Sequence, residues 1–369
     1  MRKIIVCLTT LCLLVLCTGC NAGKAAPEQD PATPRKVIVD CDMGYMNDDA
    51  VALLFLLQAD KLGYIDLAGI CVSGGNQPGA VAANATLLLL EETQRTDIPV
   101  YIGTDEPLMG FNAERANRDY AGEVYASLAK GTYVTPDHYH DLGDLYRENW
   151  GYSTTMAREI SSSEFLVEMV DAYPGEITVL CIGPATNIAL ACLADDSFAA
   201  KTAGIFFMGG KIRSGSDFNW RYDADAVRVC LESAFPQILV CTSEISGSMA
   251  IPSTWIEDLA SNASDPDDPI VATLVNHQST ICSNKKLWDL VVPAVLLRPD
   301  LIVDSQVTEI SVDTDENSYG VMHVGEGSAS ATIVSRVSGE QIYAWFQSLF
   351  RDDAETMLTQ LIQKGEDSL

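Results

Sequence analysis

Basic residues are scarce in this chain of 369 residues, which has 23 lysines and arginines against 51 aspartates and glutamates. The formal charge of -28 repels phosphate backbones and anionic lipid headgroups, which argues against nucleic acid as a partner. Hydrophobic residues make up 47% and charged residues 20%, unlike the composition of disordered chains. We therefore expect most of the chain to fold, and carboxylates that cluster inside it must be paired or bind a cation.

Patterns that hold zinc or build a disulfide framework are also missing. The 4 histidines do not have metal-ligand spacing, which argues against a zinc site. Of the 11 cysteines, four lie within residues 1–20, and the seven after residue 20 include no CxxC pair and are scattered, several of them in or beside strand-like apolar runs. Because cysteine in such runs behaves as a small buried hydrophobe, we expect most of these thiols to be structural.

Residues 1–19 have the features of a secretory signal. They begin with MRK, continue with an apolar run of 14 residues over 4–17, and end in small residues before Cys20. The run is shorter than the roughly 20 residues that a membrane-spanning helix needs. The ending resembles a bacterial lipobox, which predicts that Cys20 is lipidated and becomes the first residue of the mature chain. An ordinary signal cut near Ala22 is the alternative.

The segment after the signal predicts a tether. Residues 20–35 contain three prolines among small and polar residues, and this composition cannot bury a core. We expect residues 36–369 to form one folded domain, exported and lipid-anchored on the periplasmic face or the cell surface of a bacterial membrane. The leaflet that carries the tether and a homo-oligomeric state both stay open.

Strand-like and helix-like runs alternate after residue 36. The predicted strands are Lys36–Asp40, Ile65–Ser73, Pro99–Gly103, Glu176–Ile182, Gly204–Met208, Gln237–Cys241, Gln306–Val312 and Ser330–Val337. The predicted helices are Ala50–Ala59, Ala80–Gln94, Glu164–Tyr173, Thr186–Leu193, Ala224–Ser233 and Gly339–Lys364. Residues 105–160 have weak periodicity and predict an insertion or flap. This alternation predicts an α/β fold with a mostly parallel sheet between two helical layers, a Rossmann-like α-β-α arrangement.

Four carboxylates follow the first predicted strand within ten residues, at Asp40, Asp42, Asp48 and Asp49. The carboxyl ends of parallel strands are where open α/β sheets bind their ligands. Because neighbouring acids raise each other's pKa and destabilise the fold, a hard divalent cation is the simplest compensation. The spacing is not that of an EF-hand. Alternatively, the last two acids only cap a helix that starts at Ala50.

Six segments in the same order resemble the inosine/uridine-type nucleoside hydrolase family. The acidic run DCDMGYMNDDA resembles its DxDxGxDD signature, and the similarity covers roughly residues 36–300. The other matching segments are Gly75-Asn76, Ile182–Asn187 (IGPATN), Met208–Gly210, Phe218-Asn219 with Asp223, and Trp288-Asp289. On these motifs the chain is identified as a member of that family, which implies the nucleoside hydrolase fold.

The resemblance implies an enzyme that hydrolyses the N-glycosidic bond of ribonucleosides to free base and ribose. It implies a calcium ion held by Asp42, both oxygens of Asp49, the main-chain carbonyl of Ile182, and Asp289. It also implies that Asp42 is the general base for a calcium-activated water. An all-oxygen ligand set of this size favours calcium over magnesium.

The resemblance further implies how the substrate is held. Asp48 and Asn76 would bind the ribose 2′ and 3′ hydroxyls, and Asp217 and Asn219 the 5′ and 3′ side of the sugar. The remaining two predicted substrate contacts are Met208, packed on the ribose, and Trp288, stacked on the base. Trp288 stands where one branch of the family has a histidine that assists departure, as in the branch that stacks a purine. A core methionine and a plain wall tryptophan are the alternatives.

The sequence departs from the family pattern at three places. Two extra residues separate Gly44 from Asp48, Asp217 replaces the usual glutamate, and Asp223 is not followed by proline. The longer loop leaves open another N-riboside as substrate. Two other classes also stay open: a lipid-anchored nucleoside- or sugar-binding protein with weak or no turnover, and a magnesium-dependent phosphatase similar to the haloacid dehalogenases.

Overall fold

A nine-stranded, mostly parallel sheet forms the centre of the protein. The structure, a computed structural model, describes residues 34–110 and 151–352 apart from residue 328. The strands are β1 (Arg35–Cys41), β2 (Ile65–Val72), β3 (Val100–Ile102), β4 (Ile177–Cys181), β5 (Gly204–Met208), β6 (Ile238–Cys241), β7 (Ile302–Val312), β8 (Met322–Val324) and β9 (Ala329–Val337). Their order in the sheet is β3-β2-β1-β4-β5-β6-β9-β7-β8, and β7 alone runs in the direction opposite to the other strands.

Helices cover both faces of this sheet. They are α1 (Asp48–Lys61), α2 (Gly79–Glu92), α3 (Ser162–Ala172), α4 (Thr186–Ala194), α5 (Phe198–Lys201), α6 (Phe218–Tyr222), α7 (Ala224–Glu232), α8 (Trp255–Asn262), α9 (Pro269–Asn276), α10 (Gln278–Ser283), α11 (Val291–Leu297) and α12 (Gly339–Ser348). Two separate hydrophobic clusters lie on the two sides of the sheet. The predicted α/β class with a mostly parallel sheet is therefore confirmed.

The central strands are apolar because both of their faces are covered. All residues of β4, β5 and β6 are buried, as parallel sheets between helices require. Their carboxyl ends meet at one edge of the sheet, so the residues that follow β1, β4, β5 and β6 are neighbours in space although they are distant in sequence. This edge carries the candidate site.

Two sequence predictions about element ends are wrong. The first helix starts at Asp48 rather than Ala50, because the side chain of Asn47 caps it and accepts a hydrogen bond from the Ala50 N–H. The last helix was predicted over Gly339–Lys364 but ends at Ser348. There the chain turns, and the Leu349 carbonyl accepts a hydrogen bond from the side chain of Gln58.

Several predictions concern residues that the structure does not describe. The signal at residues 1–19, lipidation at Cys20, most of the tether and most of the insertion at 105–160 lie outside the described residues. Within the described ranges, no helix is long and apolar enough to cross a membrane.

Candidate active site

Asp42 lies immediately after β1 and is almost fully buried, at 1% exposure. Its Oδ2 accepts a hydrogen bond of 2.6 Å from the main-chain N–H of Asn76, in the turn after β2. A Cβ atom on Gly75 would clash with the Asp42 carboxylate, so the glycine permits this close approach. The turn after β2 therefore fixes where the carboxylate of Asp42 points.

Asp48 and Asp49 stand in the first turn of α1. The Oδ2 of Asp49 accepts hydrogen bonds from the side-chain amides of Asn47, at 2.6 Å, and Asn76, at 3.3 Å. Its Oδ1 is buried and has no hydrogen-bond partner among the described residues. A buried carboxylate oxygen without a donor destabilises the fold unless another group compensates it.

Asp289 comes from a distant part of the chain, just before α11, and joins these two acids. Carboxylate oxygens of Asp48, Asp49 and Asp289, one from each residue, lie within 4.8 Å of one another. Burial raises the pKa of both Asp48 and Asp289. This group of three acids is hereafter the acidic cluster.

Burial and mutual repulsion raise the pKa of every acid at this site. Burial, with a smaller effect of the charge on Asp48, raises the pKa of Asp42 to about 7. For Asp49 and Asp289, burial and then the neighbouring carboxylates raise the pKa well above its ordinary value. The cluster cannot be fully ionised at neutral pH without a cation or other positive charge nearby.

A cavity of about 490 Å³ opens onto these acids. Of the residues predicted from sequence to bind metal or substrate, all but Asp49 line it. These residues are Asp42, Asp48, Asn76, Ile182, Met208, Asp217, Asn219, Trp288 and Asp289. Asp49 is fully buried beside the cavity. The structure thus brings the predicted residues together, while their separate roles remain predictions.

Four further residues line the cavity and were missed by the sequence reasoning: Lys211, Phe218, Ser243 and Ser246. Lys211 follows Met208-Gly209-Gly210 after β5, and Ser243 follows β6. For Lys211 and Ser243, the signal that could have found them is their place shortly after a buried strand, which is also the place of Asp42.

Asp217 and Asn219 are tied to the surrounding backbone. Asn219 donates its side-chain amide to the carbonyls of Ile182, at 2.9 Å, and Met208, at 3.1 Å. The two oxygens of Asp217 accept the main-chain N–H groups of Gly210, at 2.5 Å, and Trp220, at 3.2 Å. Burial raises the pKa of Asp217 to about 6. Both side chains therefore also shape the loops after β4 and β5.

Asp40, the first acid of the run, does not line the cavity. Its Oδ1 accepts a hydrogen bond of 2.8 Å from Asn187 of the IGPATN segment, and its Oδ2 is buried without a partner among the described residues. Burial raises its pKa to about 7. Asp40 thus links the acidic loop to the start of α4.

Comparisons with known proteins agree with this arrangement. The family model described as inosine-uridine preferring nucleoside hydrolase matches residues 37–344. A protein named probable uridine nucleosidase 2 from Oryza sativa subsp. japonica is 34% identical over 209 residues, which cover 55% of each chain. A pyrimidine-specific ribonucleoside hydrolase of Escherichia coli O17:K52:H18 is 28% identical over 232 residues, covering 58% of this chain and 64% of the relative. The chain thus spans about half the length of the first of these relatives and 64% of the second.

Solved structures show the same fold at low sequence identity. A purine-preferring ribonucleoside hydrolase from Gardnerella vaginalis has a TM-score of 0.64 and 17% identity, with 87% of this chain and 100% of the other covered. At this identity the likeness supports the fold alone. The family model, which spans most of the described residues and the whole acidic site, shows that the chain belongs to the inosine-uridine preferring nucleoside hydrolase family.

Proposed function

We propose that this chain is an enzyme that hydrolyses the N-glycosidic bond of ribonucleosides to free base and ribose. The observation that carries the proposal is the convergence of Asp42 and the acidic cluster on one cavity, within a chain that matches the family model over residues 37–344. The relatives named as uridine nucleosidase and ribonucleoside hydrolase support the same reaction class.

The residues at the site fit a divalent cation. The unpartnered buried Oδ1 of Asp49 and the crowded oxygens of the acidic cluster need a positive charge, and oxygen ligands suit calcium. The residues that would hold Ca²⁺ are Asp42, Asp49, the carbonyl of Ile182, and Asp289. When bound, the cation would lower the pKa of a coordinated water toward neutrality.

Asp42 acts as the general base in this proposal. The main-chain N–H of Asn76 holds its carboxylate in place, and a cation beside it would keep the carboxylate ionised and able to accept a proton. It removes a proton from the water that attacks the anomeric carbon. Asp48 and Asn76 bind the ribose hydroxyls, and these hydrogen bonds strengthen as the sugar flattens toward an oxocarbenium ion.

Trp288 binds the leaving base. Its ring lines the cavity, and the Nζ of Lys286 lies 5.7 Å from the ring centroid, which holds the indole by a cation–π contact. Stacking of a planar base on the indole favours purines, although two relatives are named for pyrimidine nucleosides.

The test is release of free base from inosine and uridine with added calcium. Asp42→Asn should abolish turnover while nucleoside binding persists, because the substitution removes the base but keeps the shape. Asp196→Asn is the matched control, since Asp196 is exposed and makes no ion pair among the described residues. Binding of nucleosides by the wild type without base release would leave only the binding protein, and phosphate release from a phosphomonoester without nucleoside cleavage would favour the phosphatase.

The proposal includes export and a lipid anchor at Cys20. The lipobox-like ending of residues 1–19 and the proline-containing tether support it. Metabolic labelling with a radioactive fatty acid should mark the wild type and not Cys20→Ser. Equal labelling of Cys17→Ser and the wild type is the expected control result, and an unlabelled wild type would contradict the anchor.

A further inference from the structure

The turn between β2 and α2, residues 73–78 and hereafter the Asn76 turn, lies directly against the carboxylate of Asp42. Its Asn76 main-chain N–H donates a hydrogen bond of 2.6 Å to Asp42 Oδ2. The Asn76 side-chain amide also lies 3.3 Å from Asp49 Oδ2. A Cβ atom on Gly75 would clash with the Asp42 carboxylate, so the turn and the acid are in close contact. Any displacement of this turn therefore moves the group that directs Asp42.

Asp105, in the loop after β3, contacts both ends of the Asn76 turn. Its Oδ1 accepts a hydrogen bond from the main-chain N–H of Gly79, the first residue of α2. At the other end, a Cβ atom on Gly74 would lie only 2.8 Å from both the Cα and the Oδ1 of Asp105. The Gly74 N–H also donates a hydrogen bond of 3.1 Å to the carbonyl of Thr104. The loop after β3 thus holds the turn on either side of Asn76.

The start of α2 has no side-chain cap of its own. Pro78 is its N-cap residue, and no side chain of the cap accepts a hydrogen bond there. The first N–H groups of a helix have no partner within the helix and need an acceptor from elsewhere. Asp105 supplies that acceptor to Gly79, and its negative charge is also favourable near the N-terminus of a helix. Loss of the Asp105 side chain would therefore release the point at which the turn enters α2.

The main chain of Asp105 is held by a second element of the site. Tyr222, the last residue of α6, is buried and donates its hydroxyl to the Asp105 carbonyl at 2.7 Å. The same short helix carries Phe218 and Asn219, which line the cavity. Asp105 is therefore fixed between the Asn76 turn and α6, two elements that both contribute residues to the cavity.

We propose that Asp105 is a positioning residue for the hydrolytic reaction. It keeps the Asn76 turn in the place from which the Asn76 N–H directs the Asp42 carboxylate. Asp105 is not among the described residues that line the cavity, so it acts through the turn rather than by touching the substrate. A displacement of about 1 Å at a reacting group can lower a rate by about a hundredfold, which is why a residue outside the cavity can control turnover. The inference rests on the proposed function and adds a residue to it.

The first test is steady-state release of free base from inosine and uridine by the full chain with added calcium. Asp105→Ala should lower kcat by about tenfold or more and change KM by less than about threefold. The effect falls on kcat because the substitution removes no side chain that lines the cavity, whereas the direction of the Asp42 carboxylate is lost. Asp105→Asn keeps an oxygen that can accept the Gly79 N–H and should retain most of the wild-type kcat.

Two further variants complete this comparison. Glu106→Ala is the matched control, since Glu106 is exposed and, in the part of the chain that the structure describes, forms hydrogen bonds through its main chain only. It should have the wild-type kcat. Tyr222→Phe keeps the ring but removes the hydroxyl that holds the Asp105 carbonyl, and it should lower kcat by about fivefold.

Several kinetic results would overturn the inference. A wild-type kcat for Asp105→Ala would do so, and so would an equal loss of kcat in Asp105→Asn and Asp105→Ala, because the asparagine retains the acceptor. Circular dichroism checks that each variant folds. If Asp105→Ala does not fold, Tyr222→Phe decides the question, and an unchanged kcat in that variant would refute the positioning role.

A second measurement separates this inference from the proposed function. Amide hydrogen exchange, followed by mass spectrometry on peptides that cover residues 73–80, should be about fivefold faster or more in Asp105→Ala than in Asp105→Asn and Glu106→Ala. Unchanged exchange together with nucleoside cleavage by the wild type would overturn the role of Asp105 and leave the proposed function intact. Faster exchange without cleavage of any riboside by the wild type would retain the contact between Asp105 and the turn and refute the hydrolase.

Discussion

In the absence of divalent cations, the free energy of unfolding of this protein should fall as the pH rises from 5 to 8. Burial raises the pKa of Asp42 to about 7, and burial with repulsion raises the pKa of Asp49 and Asp289 well above its ordinary value. In the unfolded chain the same groups lose their protons near pH 4. The folded state therefore binds more protons across this window, so the free energy of unfolding falls as the pH rises.

The size of the effect follows from the shift at Asp42. Its pKa moves from 3.8 to about 7, and each pKa unit corresponds to about 1.4 kcal/mol. Between pH 5 and pH 7, where the carboxyl becomes half ionised in the folded state, it then lowers the free energy of unfolding by about 2 kcal/mol. Such a loss is a large fraction of the roughly 5–15 kcal/mol that stabilises a typical domain.

Calcium should remove much of this pH dependence. A cation bound among the carboxylates favours their ionised forms, and a ligand at about 100 times its Kd stabilises the folded state by about 2.7 kcal/mol. The assay is urea unfolding followed by circular dichroism at pH 5, 6, 7 and 8, in EDTA and in calcium chloride. Asp49→Asn should weaken the pH dependence in EDTA, because it removes one of the repelling charges, while Asp196→Asn should not.

One result would refute this reasoning directly. If the free energy of unfolding in EDTA stayed constant or rose between pH 5 and pH 8, the acidic cluster would not be a site of uncompensated negative charge. A decrease of equal size in calcium chloride would show instead that the cation does not bind these carboxylates.

Three substitutions test other parts of the site. Gly75→Ala should lower kcat by about tenfold or more, because the new Cβ clashes with the Asp42 carboxylate. Steady-state kinetics would measure the loss, and thermal unfolding would check that the variant still folds. Wild-type kcat would contradict the packing. Trp288→Ala should raise KM for inosine more than for uridine, and equal increases would contradict stacking. Asp217→Ala should lower the free energy of unfolding by about 1–2 kcal/mol in urea, because the Trp220 N–H loses its cap, whereas Asp217→Asn should retain most of it.

The sheet and its ligand-binding edge could be predicted from sequence because local pattern and global fold agree there. The parallel strands are continuous apolar runs, and β1, β4 and β5 each end in polar or glycine-rich turns. The carboxyl ends of parallel strands must share one edge. The pattern therefore predicts that Asp42 lies at this edge, the family resemblance adds Asn76, and the structure brings the two residues into contact.

The helical region between β6 and β7 could not be predicted in the same way. Helices α8 to α11 are short, and several of their ends depend on contacts with distant residues. For example, Trp255 donates its indole N–H to the carbonyl of Tyr343 in α12. The position of Asp289 was inferred from the family motif alone, since no periodicity in this region shows that it returns to the acidic loop.

The longer acidic loop, between Gly44 and Asp48, contacts the segment that brings Asp289 back to the acidic cluster. Met46 has a positive φ of 53°, and its carbonyl accepts a hydrogen bond of 3.2 Å from Asn284, five residues before Asp289. Tyr45 packs edge-on against His277, whose Nε2 lies 2.9 Å from Glu92 Oε2. The loop that departs from the family pattern thus contacts the segment leading to Trp288 and Asp289. Because the extra length of the loop is used in these contacts, Asp48 and Asp49 can still meet Asp289, and shortening the loop by two residues would loosen that segment rather than simply restore the family spacing.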